Sequence, residues 1–105
     1  MNLTSFLQDK QLTIALRGEI DHHSAKDIMR VVGNKIELYL PRVCVLDFRE
    51  VGFMDSSGIG LVLGRYRLMQ EREGSLVLCA MPPHIRRVMR VAGIANLEIE
   101  EESRV

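Results

Sequence analysis

This chain carries no net charge. Its 105 residues hold 14 Lys plus Arg against 14 Asp plus Glu, so no electrostatic field draws it to nucleic acid. The late arginines Arg86, Arg87 and Arg90 read as a solvated helix face. Cysteine is scarce too. Cys44 and Cys79 lie far apart, outside any C-x-x-C and each within a β-like apolar run. That pattern reads as a reduced core in a cytoplasmic protein. No apolar run approaches the ~20 residues a bilayer crossing needs, so no membrane partner is expected. The opening MNLTSFLQDK has no basic segment followed by a long apolar one, so no secretory signal is expected. Repeats, linkers and low-complexity stretches are also missing. The expectation is a single domain over residues 1–105.

What is present is a regular alternation of element signals. Apolar residues make up 47%, an ordinary share for a packed fold. Leu3–Leu7 and Leu12–Leu16 flank a polar Gln8–Gln11 turn and predict a hairpin. Gly18–His23 reads as a loop. Ser24 suits a helix N-cap with Asp27 in the first turn. Ala25, Ile28, Met29, Val32, Ile36 and Tyr39 then recur at helical spacing, and Pro41 ends the run. Val43–Phe48 reads as a strand covered on both faces or central in its sheet. A helix over Ile59–Glu71 ends at Gly74. Ser75–Ala80 is another apolar strand. Pro82-Pro83 opens a short helix with Ile85, Val88, Met89 and Ala92 buried and Gly93 at its end. Leu97–Ile99 is a weak last strand, and 100–105 an acidic, frayed tail. The order β-β-α-β-α-β-α-β predicts an α/β fold: a mixed, mostly parallel sheet with helices packed on it.

The most informative stretch is Phe53-Met54-Asp55-Ser56-Ser57-Gly58-Ile59-Gly60. It puts two hydroxyls in a turn at a helix start, where backbone N–H groups lack intrahelical partners and the helix dipole is positive. A phosphate there would be tolerated by the fold and would transform the local surface. Met54 is read as an exposed contact in this turn. Gly60 and Gly64 share one helix face. Each costs about 1 kcal/mol against Ala in a helix interior, so something approaches closely, either the sheet or an outside partner. Asp21 either caps the first helix or faces the serine turn, since both loops follow strands of one sheet.

Other chemistries match less well. A nucleophile elbow needs G-x-S-x-G, but Met54 and Asp55 stand two residues before Ser56 and Ser57. His22, His23 and His84 are not tied to either serine by any motif, and no second Cys/His cluster makes His22 and His23 metal ligands. Gly58, Gly60 and Gly64 nearly match G-x-G-x-x-G, with the third glycine one residue late and the strand too far upstream. A nucleotide-binding or hydrolysing domain is therefore the alternative reading. No metal or cofactor is expected.

Val45-Leu46-Asp47-Phe48, Phe53–Gly58 and Leu63-Gly64-Arg65-Tyr66, with Gly18-Glu19-Ile20-Asp21 upstream, together resemble the anti-sigma factor antagonists with a STAS domain. The resemblance covers nearly the whole chain. It departs at the C-terminus, where relatives commonly carry a further helix. The family implies a non-enzymatic switch, used in sporulation. The unphosphorylated antagonist binds an anti-sigma factor that is also a serine kinase using ATP, and a sigma factor is freed. Phosphorylation ends binding, and a phosphatase resets the antagonist. Residue by residue, the resemblance puts the phospho-acceptor on Ser57, the preceding acid on Asp55 and the loop aspartate on Asp21, leaving Ser56 as a structural cap. The implied partner surface is Asp21, Met54, Asp55, Ser56, Ser57, Gly58, Ile59 and Gly60.

Overall fold

The computed structural model describes residues 3–94 and 99–102. The elements run β1 (Leu3–Gln8), β2 (Gln11–Ile20), α1 (His22–Tyr39), β3 (Val43–Met54), α2 (Ser57–Glu71), β4 (Ser75–Cys79), α3 (Pro83–Val91) and β5 (Glu100–Glu102). One five-stranded sheet has the order β1-β2-β3-β4-β5. The β1–β2 pair is antiparallel and the other pairs are parallel. The expected element order and mixed sheet are therefore found, with β3 central.

The strand order explains the layering. Each parallel crossover steps one strand in the same direction, and crossovers share one hand. The three helices consequently bury side chains in one cluster, with Ile14, Leu46, Phe48 and Leu78 of the sheet meeting Ile28, Val32, Leu61 and Ile85. The opposite sheet face holds a smaller cluster, Val45, Val77 and Cys79. The strand order never reverses, so the sheet lacks the crevice where doubly wound folds bind nucleotides.

Several boundaries differ from the expectation. Gly18–Ile20 is not loop. It continues β2 alongside Val51–Met54, past register shifts at Ala15/Arg17 and Gly18/Glu19. Those shifts, with Gly18 at φ 82, break the period of two that marks a strand in sequence. β3 likewise runs to Met54 rather than Phe48. Helix α1 begins at His22, with Asp21 as N-cap and Ser24 at the third helical position. The hairpin turn is tighter than expected, because Asp9 and Lys10 both take left-handed φ, as a two-residue loop between twisted strands requires. Tyr39 is 45% exposed; it is the last residue of α1, before Leu40 turns left-handed. Ala92 is also exposed, lying past the end of α3. Of the expected last strand, Leu97 and Glu98 lie outside the described residues. Ile99 packs against the core, and pairing with β4 begins at Glu100, inside the stretch read as a frayed tail.

Both cysteines are buried and outside any disulfide. Burial pushes the Cys44 thiol up to about 12, which keeps it protonated and unreactive. Helices α1 and α2 are pinned by Arg65, whose guanidinium donates to the Met29 carbonyl at 2.7 Å. It lies over Gly33, where a Cβ would collide with it.

Candidate functional site

The site forms where β2 and β3 end. Ile20 and Met54 are paired in the ladder, so Asp21 and Asp55 leave the sheet side by side. The Asp55 N–H donates to the Ile20 carbonyl at 3.1 Å, which ties the two turns together. Of the two placements weighed for Asp21, the cap is observed, and it stands next to the serine turn.

The Asp21 turn is closed on itself. Its Oδ1 accepts from the backbone N–H groups of His23 (3.0 Å) and Ser24 (2.9 Å). The Ser24 hydroxyl accepts from the Asp21 N–H at 2.9 Å, completing a reciprocal cap. The Ser24 hydroxyl also donates to Asp21 Oδ1 at 3.1 Å. The bonds to this carboxylate, from the Ser24 N–H first and its hydroxyl second, hold the Asp21 carboxyl below its ordinary value. His22 and His23 are exposed in this first turn with their rings edge to face. Among the described residues no group of three His, Cys, Asp or Glu could hold a metal.

The serine turn is built differently. Asp55 Oδ1 accepts from the Ser57 N–H at 2.8 Å. The Asp55 carbonyl accepts from Gly58 at 3.0 Å, and the Ser56 carbonyl from Ile59 at 3.1 Å. The first N–H groups of α2 thus lack partners within the helix, as expected, but are engaged by Asp55 and Ser56 just ahead of it. Ser56 holds the N-cap position but its hydroxyl makes no capping bond, because its helical backbone angles turn the side chain outward and Asp55 does the capping. Ser56 is exposed and Ser57 half-buried.

Met54 is buried, only 4% exposed, so it is not the surface contact expected. It fills the space beside Gly58, where a Cβ would overlap its side chain. Its neighbour Phe53, 49% exposed, is the apolar group that reaches the surface. The glycine pair also divides. A Cβ on Gly64 would make ordinary contact with Met29 of α1, whereas one on Gly60 would meet nothing. Gly60 therefore leaves an open, featureless helix face beside the serines.

A groove of about 340 Å³ adjoins the turn, lined by Met54, Asp55, Ser56 and Ile59 on one side and Arg87, Val88, Val91 and Ala92 on the other. His84 Nε2 lies 3.1 Å from the Gly52 carbonyl and anchors the start of α3 there. Sequence reasoning missed Phe53 and the α3 wall. The available signal was Val91, an apolar residue off the buried stripe of α3.

A model of the STAS domain matches residues 6–103. The chain belongs to the STAS domain family. This STAS chain is 32% identical to the anti-sigma F factor antagonist of Paenibacillus polymyxa, over 82% of the chain and 74% of that protein. It is 34% identical to the antagonist of the same name from Lysinibacillus sphaericus, over 79% and 71%. In structure it is similar to the anti-sigma factor antagonist SpoIIAA in its unphosphorylated form, with a TM-score of 0.85, 28% identity and coverage of 98% of this chain and 88% of that one. Against SpoIIAA in the phosphorylated form the TM-score is 0.78. Among its described residues, no helix is long and apolar enough to cross a membrane.

Proposed function

We propose that this STAS protein is an anti-sigma factor antagonist acting in the cytoplasm. Its unphosphorylated form binds an anti-sigma factor that is also a serine kinase and so releases a sporulation sigma factor. Phosphorylation within Ser56–Ser57 ends the binding, and a phosphatase restores it. The protein acts by exchanging partners, with no catalytic chemistry of its own. The supporting observation is the serine turn itself: two serines at the start of α2, tied to the Asp21 turn through Asp55 and Ile20, beside the bare face of Gly60. Such a surface lets a kinase domain approach closely.

A phosphoserine adds roughly −1.5 to −2 charges and three acceptor oxygens. The engaged N–H groups of α2 leave that charge facing outward, near the Asp55 carboxylate. A binding loss of ~3–4 kcal/mol lowers affinity about 100- to 1000-fold, enough for release without refolding.

The resemblance assigns the acceptor to Ser57. One observation favours Ser56 instead: it is the exposed member of the pair, with a hydroxyl engaged in no cap. Incubation with an anti-sigma kinase and ATP, followed by peptide mass spectrometry, separates the two. One phosphate on Ser57 supports the first assignment and one on Ser56 the second. An unmodified chain with an active kinase removes the switch.

A further inference from the structure

The groove between the start of α2 and the outer side of α3 is the least polar concavity beside the serine turn. Its walls are Ile59, Val88, Val91 and Ala92 over a floor at Met54. Val91 is 83% exposed, the highest value among the large exposed apolar side chains. The groove between α1 and α2 is of similar size but polar at its rim, with Lys26, Arg30, Asn34, Glu37 and Arg65, and Glu37 there is already paired with Arg72 at 2.7 Å.

Charge says what fits the α2–α3 groove. Helix α3, sequence PHIRRVMRV, carries Arg86, Arg87 and Arg90 and no acidic residue. Arg87 stands on the groove wall, exposed and outside the ion pairs found among the described residues. The one carboxylate in the lining, Asp55, is half-buried and already accepts the Ser57 N–H. The groove is thus an apolar trough with a free cation on its rim, and Ser56 belongs to its lining.

We infer that this groove receives a segment of the anti-sigma factor carrying an apolar side chain next to an acidic one. The apolar side chain lies between Ile59 and Val91, and the acid pairs with Arg87. This rests on the proposed function and extends its surface from the serine turn to α3. It also gives phosphorylation a second point of action. A phosphate on Ser56 stands on the groove's rim, repels the incoming acid and offers Arg87 a competing anion.

The test is calorimetric binding of the full chain to the purified anti-sigma F factors of Paenibacillus polymyxa and Lysinibacillus sphaericus. Arg87→Glu and Val91→Asp are compared with Arg42→Glu, the same charge change on an exposed residue at the far end of the sheet. Arg87→Glu and Val91→Asp are expected to bind at least about tenfold more weakly, with Arg42→Glu within about twofold of the parent. Thermal melts should stay unchanged, since Arg87 and Val91 are exposed. If either groove variant melts early, Arg87→Gln or Val91→Ser takes its place. Parent-like binding by the groove variants, with Ser56→Asp or Ser57→Asp still defective, overturns the groove and leaves the function standing. A parent chain that binds neither factor overturns both.

Discussion

The two helix starts at the ends of β2 and β3 are neighbours with nearly the same ingredients, an aspartate and a serine. At α1 both are consumed. Asp21 caps the backbone and Ser24 returns the bond, so the serine hydroxyl is locked into the fold. At α2 the aspartate alone caps, and the Ser56 hydroxyl is left out. A hydroxyl that holds a helix end cannot be handed to a kinase without loosening that end. The contrast shows how a serine can sit at a helix start without its hydroxyl holding that helix.

The strongest way to break this comparison is to charge the second turn. Ser57→Asp and Ser56→Asp should each reduce anti-sigma factor binding, by up to about 100- to 1000-fold for the true acceptor, read by calorimetry. Ser57→Ala should still bind. If both acidic variants bind like the parent, the turn is not the switch.

Next come the glycines. Gly58→Ala forces a Cβ against Met54 and should destabilise by about 1–3 kcal/mol. Gly60→Ala meets open space and should stabilise by up to about 1 kcal/mol, while weakening partner binding. Chemical denaturation and calorimetry on the same pair of variants check both signs. A Gly60→Ala variant that gains stability and keeps full affinity would mean that no partner approaches there.

The serines give a smaller, sharper contrast. Ser24→Ala should cost roughly 0.5–1.5 kcal/mol, the usual worth of a lost hydrogen bond, whereas Ser56→Ala should leave denaturation unchanged. Equal losses would erase the difference between the two turns.

The smallest effect concerns pH. The Asp21 carboxyl is held below its ordinary value of 3.8 in the folded state. Its stabilising share is therefore complete above that value and is lost as pH falls through the lowered folded value, where the folded chain takes up the proton too. Asp21→Asn should flatten this part of the acid limb in thermal melts. An unchanged acid limb would detach the cap from stability.

Much of this was legible in the chain. The hydrophobic period marked α1, and the apolar runs marked β3 and β4, because burial on one or both faces leaves a pattern in local sequence. Asp55-Ser56-Ser57-Gly58 was legible as a turn opening a helix. The second half of β2 was not, because its bulges put polar residues out of phase with the pleat. The burial of Met54 and the exposure of Phe53 were not legible for a related reason. Which of two adjacent strand residues faces the core depends on register beyond the bulge, and Gly58 supplies the space that Met54 enters.

The sequence by itself determined the element order. The strand order, stepping one way across the sheet, places the helices together and the two aspartate turns side by side. Tertiary structure alone decided which hydroxyl is free, which glycine is bare, and that α3 brings Arg87 and Val91 up to the serine turn. Local composition sets what each segment can form. Exposure and neighbourhood across 30 residues of chain are set only when the helices dock on the sheet.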